Sequence, residues 1–194
     1  MKIAILGGSF NPPHLGHVLI ANQTLEFTDI DEVWLSPCYR HTFLKNLAPT
    51  AHRVAMTKML INKKIKYCSV EIENKLSGET IKLMELLKKK YPQHRFSFII
   101  GSDNLVSLKK WGQWEKLISN YQFLIFKRPG FSTNLANYGL DNPKYRFQVI
   151  NHKLLTTFDF SSTNIRERVK KKLSLTNLVP EAVESYIISH HLYR

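Results

Sequence analysis

Apolar residues in this chain fall into short unbroken runs separated by stretches with helical spacing. The first run, residues 3–6, is Ile-Ala-Ile-Leu and stops at Gly7-Gly8, the pattern of a strand buried on both faces. Residues 15–27 then carry Val18, Leu19 and Leu25 on a helical period. Val33-Trp34-Leu35 predicts a second strand, stopped by Ser36-Pro37, and a loop rich in Tyr, Arg, His and Lys runs on to Pro49. Thr50 is placed to cap a helix bearing Val54, Met56, Met59, Leu60 and Ile61. Residues 67–72 read as a third strand, and residues 81–87 carry a helical stripe that ends at Tyr91-Pro92. Residues 96–100 form the cleanest buried strand after the first, closed by Gly101-Ser102-Asp103. A short helical region with Trp111 and Trp114 follows, and Trp114 reads as core. The strand at 122–126 is closed by Lys127-Arg128-Pro129-Gly130. Residues 131–144 read as an irregular polar loop, and 146–150 as a further strand. Helices are expected at 161–171, started by hydroxyl residues, and at 181–189, opened by Pro180.

Strands alternating with helices predict a Rossmann-like, doubly wound α/β fold with a mostly parallel sheet and helices on both faces. Right-handed crossovers would gather the loops that follow the strands along one edge, where ligands bind in such sheets. The loops after the first, fourth and last strands carry the unusual residues. No linker or internal repeat divides the chain, so residues 1–194 are expected to form a single domain with a short C-terminal helical part from about residue 162.

Composition narrows the function classes. A hydrophobic share of 43% with 22% charged residues excludes global disorder. The net charge of +13 favours polyanionic partners without choosing among nucleic acid, phosphorylated metabolites and membrane. Much of the excess lies in short runs such as Lys88-Lys89-Lys90 and Lys170-Lys171-Lys172, which read as solvated helix faces. Cys38 and Cys68 are far apart and outside any C-x-x-C pattern, which argues against a disulfide framework or thiolate zinc site and fits the cytoplasm. No apolar run approaches the roughly 20 residues of a bilayer span, so no membrane partner is expected.

The candidate chemistry begins at Gly7-Gly8-Ser9-Phe10-Asn11-Pro12-Pro13-His14-Leu15-Gly16-His17. The glycines allow a tight turn and close approach of backbone amides to a ligand. The segment is neither G-x-G-x-x-G nor a Walker loop. His14 and His17, three apart at a helix start, place both imidazoles on one side of the first turn, beside free amides and the positive end of the helix dipole. That is a site for a triphosphate. A purely structural turn and a two-histidine metal site are the alternatives, and the second lacks neighbouring carboxylates or thiolates. Near the other end, Ser161-Ser162-Thr163-Asn164-Ile165-Arg166 offers a hydroxyl cap and an arginine in the first helical turn, suited to an anion. Asp103, after the fourth strand, could hydrogen-bond a ribose or cap a helix.

The first segment resembles the G-x-F-[DN]-P-x-H-x-G-H signature of the nucleotidyltransferase superfamily and matches it at every signature position. That superfamily includes nicotinate and nicotinamide mononucleotide adenylyltransferases, phosphopantetheine adenylyltransferases and cytidylyltransferases. Ser161 to Arg166 resembles its S-S/T-x-I-R element. Gly101-x-Asp103 with Leu108 and Trp111 resembles the G-A/S-D-x-x-x-x-L-x-x-W stretch of bacterial nicotinate mononucleotide adenylyltransferases. The resemblance implies catalytic roles for His14, His17 and Arg166. It implies ATP contacts for Gly7, Gly8, Ser9, Phe10, Gly16, Gly101, Ser161, Ser162 and Thr163. It implies mononucleotide contacts for Asn11, Lys45, Thr80, Asp103 and Trp111, with Trp111 stacking on the pyridine ring.

Two departures stand out. Thr42-Phe43-Leu44-Lys45 keeps only the lysine of the family's Pro-Pro-His-Lys, leaving Arg40 and His41 as substitutes, while Arg53 has either a structural or a phosphate role. Ser77-Gly78-Glu79-Thr80 puts Glu79 where the family has tyrosine, and a carboxylate near the ring would disfavour an anionic substrate. The expected reaction joins ATP and nicotinate mononucleotide into nicotinate adenine dinucleotide plus pyrophosphate, a step of NAD biosynthesis. Magnesium (Mg2+) is expected to arrive on ATP, with no protein ligands. The same reaction on nicotinamide mononucleotide, phosphopantetheine adenylylation, and a non-catalytic basic nucleic-acid-binding module are the alternatives. The last rests on charge alone, since no zinc finger, RNP-like or helix-turn-helix signature appears. A homo-oligomer is left open.

Overall fold

The computed structural model describes residues 1–40, 46–157 and 159–194. The expectations placed on Lys45 and His41 therefore lie outside the described residues. Six strands form one wholly parallel sheet: β1 (Lys2–Gly8), β2 (Glu32–Pro37), β3 (Ile65–Tyr67), β4 (Arg95–Gly101), β5 (Gln122–Phe126) and β6 (Phe147–Val149). Their order is β3-β2-β1-β4-β5-β6. The chain runs outward from β1 to β3, returns to the centre at β4 and runs outward again, so the winding reverses between β1 and β4. At that reversal the crossovers on either side diverge and leave a crevice beyond the carboxyl ends of the strands.

The two faces of the sheet carry separate cores, set by the two-residue period of a strand. Ala4 and Leu6 of β1 face one side with Val33, Leu35, Ile99 and Leu124. Helices α1 (Leu15–Phe27), α2 (Thr50–Lys58), α6 (Ser162–Lys170) and α7 (Glu181–Ser189) cover it, through residues such as Ala21, Met56, Ile165 and Val183. Ile3 and Ile5 face the other side with Phe96, Phe98, Ile100 and Phe123. There α4 (Thr80–Lys90) contributes Ile81, Met84 and Leu87, and α5 (Trp114–Asn120) contributes Leu117 and Ile118.

Several boundaries differ from expectation. Residues 67–72 are not a strand: β3 is shorter and earlier, at Ile65–Tyr67, and Val70–Glu73 form a one-turn helix, α3. Short apolar runs do not separate strand from helix by period alone, and here Val70 and Glu71 turn inward together. Thr50 does not cap α2; Pro49 precedes the helix and the Thr50 hydroxyl accepts a hydrogen bond from Arg53 Nη2 at 3.1 Å. Residues 131–144 contain a tight turn of 3₁₀ helix at Leu135–Tyr138, capped by Asn134. Trp114 is only half-buried, its ring edge-on to Tyr145 at 5.8 Å.

Gly7 and Gly8 do not make the turn after β1; both still belong to the strand, and the left-handed residue is Phe10, with φ of 46°. The absent side chain of Gly7 matters for packing instead, because a Cβ there would lie 2.6 Å from Phe98 Cζ. Gly7→Ala is expected to destabilise the fold by about 1–3 kcal/mol through overpacking. Combining it with Phe98→Leu should recover part of that loss. Urea unfolding of both variants measures the coupling, and simple additivity would show that the ring is not the obstacle.

Candidate active site

At the carboxyl edge of the sheet lies an open cleft of about 1230 Å³. It exceeds the roughly 300–1,000 Å³ of a typical single-ligand pocket and has room for two substrates. Two segments far apart in the sequence line one end of it. The turn after β1 leads into α1, with His14 at the helix cap position. Helix α6 begins at Ser162, preceded by Ser161, whose hydroxyl accepts from Asn164 N at 3.1 Å. The two are joined directly: Ser162 Oγ donates to Pro12 O at 2.9 Å, and Arg166 Nη1 donates to Asn11 O at 2.9 Å. Arg166 Nη2 also donates to Thr163 Oγ1 at 3.2 Å. The N-termini of α1 and α6 thus border one space, toward which both helices turn the positive ends of their dipoles.

The imidazoles of His14 and His17 stand 3.8 Å apart between ring centres. His14 N–H donates to His17 Nδ1 at 3.1 Å. A neutral ring that accepts at Nδ1 carries its proton on Nε2, so His17 is fixed as the tautomer that can donate at its other nitrogen. Burial, assisted by nearby Arg128, lowers the His17 pKa to about 4. His14, more deeply buried, is lowered further, by burial first and then by His17 and Arg128. Both rings are therefore neutral near pH 7 and act as hydrogen-bonding groups, with the fixed positive charge supplied by arginine. Phe10 lies under His17, with ring centres 4.7 Å apart.

The expected site residues can now be placed. His14, His17, Arg166, Gly7, Gly8, Ser9, Gly16, Gly101, Ser161, Ser162 and Thr163 all line the cleft. So do Asn11, Thr80, Asp103 and Trp111. Phe10 is not among the lining residues: it is wholly buried, with its ring beside that of His17. The Asn11 side chain is committed to the 46–48 segment, accepting from Ala48 N at 3.0 Å and donating to Asn46 O at 3.4 Å.

Arg53, left between two roles by the sequence, is structural. It is 1% exposed, and its guanidinium donates to the carbonyls of Ser9, Cys38, Tyr39 and Ala48, tying the turn after β1 to the segments after β2. Sequence reasoning missed Arg128, Glu71 and Tyr193, which also line the cleft. Arg128 follows β5 on the same edge, with Nε 3.9 Å from Asp103 Oδ1 and Nη2 donating to Phe160 O at 3.3 Å. Its position at a strand end was the available signal. Glu71 is buried beside Arg53, and desolvation raises its pKa to about 7. Burial likewise raises the Tyr193 phenol, against Arg166 and Arg53. Among the described residues no group of three or more His, Cys, Asp or Glu could hold a metal ion.

The chain matches the model of the cytidylyltransferase-like family over residues 5–168. It is 37% identical to the nicotinate-nucleotide adenylyltransferase of Bacillus subtilis, covering 99% of this chain and 98% of the relative. It is 36% identical to a probable nicotinate-nucleotide adenylyltransferase of Bacillus licheniformis, with the same coverage. Among solved structures it superposes with a TM-score of 0.81 on the nicotinic acid mononucleotide adenylyltransferase of Plasmodium falciparum complexed with NaAD, at 25% identity, covering 99% of this chain and 97% of that one. The chain belongs to the nicotinate-nucleotide adenylyltransferase family. The family accounts for the full length of the fold, including α7 and the C-terminal residues against the cleft. No helix among the described residues is long and apolar enough to cross a membrane.

The buried histidines make a signed prediction. The folded-state pKa of His17, about 4, lies below the ordinary imidazole value of 6.5, so its contribution to stability is complete above pH 6.5 and is lost as pH falls toward 4. Wild type is expected to lose about 2 kcal/mol relative to His17→Gln between pH 7.5 and pH 5. Saturating triphosphate should shrink that loss by favouring the charged ring. Glu71 acts in the opposite sense, its contribution complete below pH 4.5 and lost as pH rises through about 7. Denaturant titrations at several pH values measure both, and a pH-independent difference for His17→Gln would contradict a buried neutral ring.

Proposed function

We propose that this chain transfers the adenylyl group of ATP to nicotinate mononucleotide, giving nicotinate adenine dinucleotide and pyrophosphate in NAD biosynthesis. A phosphate oxygen of the mononucleotide attacks the α-phosphorus of ATP, and the bond from that phosphorus to the bridging oxygen of pyrophosphate breaks. The nucleophile is already an anion, so no side chain need remove a proton. Catalysis is then positioning and charge stabilisation. His17 donates from Nε2 to an oxygen of the reacting polyphosphate, with His14 beside it. Arg166 spends part of its guanidinium on Asn11 O and Thr163 Oγ1 and turns its remaining donors to phosphate. Arg128, across the cleft, adds charge without needing deprotonation.

Magnesium belongs to the ATP, ligated mainly by phosphate oxygens and water. The mononucleotide ring stacks on Trp111, beside Thr80 at the start of α4 and with Asp103 toward the riboses. With ATP as substrate and two buried free cysteines, the reading places the reaction in the cytoplasm.

The observation that carries this reading is the direct hydrogen bonding of α6 to the histidine turn, which makes one polyphosphate cradle from two distant segments. The test is incubation with MgATP and each mononucleotide separately, following pyrophosphate and dinucleotide. Nicotinate mononucleotide should be consumed; inactivity on it together with turnover of phosphopantetheine would reassign the substrate. His17→Ala should lower kcat by roughly 10²-fold or more, the scale of one lost transition-state donor. A near-normal kcat in a folded variant would remove His17 from the mechanism.

A further inference from the structure

The ring end of the cleft contains a charged pair where a neutral side chain would have sufficed. Glu79 immediately precedes α4 and lines the cleft together with Thr80, Trp111 and Gly112. One carboxylate oxygen of Glu79 accepts from Lys82 Nζ at 2.9 Å and from Ser77 Oγ at 3.1 Å. The other oxygen leans on the backbone beyond the indole, since a Cβ at Gly112 would lie 3.2 Å from Glu79 Oε2. The rings of Trp111 and Phe98 meet edge to face, with centres 6.2 Å apart at 89°. A flat ring resting against Trp111 would lie beside Glu79 and the start of α4, which line the same end of the cleft.

The electrostatics there are finely opposed. The N-terminus of α4 attracts an anion. An unpaired Glu79 would cancel that attraction, and Lys82, one turn into the helix, restores it. The pair is part-exposed, with side-chain accessibilities of 31% for Glu79 and 48% for Lys82, so it acts as a local bias and not as a fold-determining contact.

Resting on the reading of the reaction given above, we propose that the Glu79–Lys82 pair sets the choice between a carboxylate and a carboxamide on the pyridine ring. Lys82 makes the carboxylate acceptable next to Glu79. Removing the lysine leaves a net negative charge at the ring end and penalises nicotinate selectively. Removing the glutamate leaves a net positive charge and favours nicotinate further. Removing both returns the field to that of the helix alone.

The experiment is the ratio of kcat/KM for nicotinate mononucleotide over nicotinamide mononucleotide in four proteins. These are wild type, Lys82→Met, Glu79→Gln and the double variant. Lys82→Met is expected to lower the ratio roughly tenfold, as one charge a few ångströms away through a water-filled cleft would. Glu79→Gln should raise it, and the double variant should return close to wild type. A ratio unchanged in both single variants, or a double variant whose ratio stays as low as that of Lys82→Met, would overturn the proposal while leaving the reaction intact. A wild type that adenylylates neither mononucleotide would overturn the reaction itself. Both side chains are part-exposed and cap no helix by hydrogen bond, so the variants should fold, and far-UV circular dichroism confirms it.

Discussion

Everything in the cleft depends on the contact between the start of α6 and the turn after β1. Ser162 and Arg166 donate to the carbonyls of Pro12 and Asn11 across some 150 residues of chain. Those carbonyls belong to a turn with a left-handed residue at Phe10 and little regular hydrogen bonding of its own. Left alone, such a turn would sample many shapes and lose the alignment of His14 and His17. Donors from a helix packed into the core through Ile165 hold it in one shape. The same helix brings Ser162 and Arg166 to the cleft, so one contact both shapes the turn and places these side chains along the same space.

Arg53 secures the other flank. Burying a guanidinium without a close carboxylate partner is costly unless its donors are matched. Here carbonyls from the two loops around the cleft, together with the Thr50 hydroxyl, match them. The positive charge nonetheless remains and draws on the buried carboxyl of Glu71, whose tendency to stay protonated it opposes. The loops are therefore positioned by an internal cation that does not itself reach for phosphate. Arg166 and Arg128, by contrast, are half-buried and keep part of their surface toward the cleft.

The histidine pair explains how a basic protein can present neutral donors. Imidazoles whose centres lie 3.8 Å apart in a desolvated turn cannot both charge. Fixing the His17 tautomer by a backbone N–H gives a directed donor whose protonation state does not change near neutral pH. The arriving polyphosphate brings the negative charge that such a site lacks, and the arginines around it answer that charge.

The alternation of apolar runs and helical stripes determined the parallel sheet and the edge on which ligands bind, because strand and helix periods are local properties. The glycine-histidine turn and the serine-arginine helix start were likewise legible, since their chemistry sits within a few consecutive residues. Only the tertiary structure could put those two segments in contact, bury Phe10 beneath His17 when its motif suggested the ligand, and turn Val70 and Glu71 into a helix. Only it could spend Arg53 on backbone carbonyls, bring Arg128 and Tyr193 to the cleft, and pair Glu79 with Lys82. These outcomes depend on burial and on groups distant in the chain. A side chain's charge state and its free donors are set by what surrounds it in space, which local spacing does not encode.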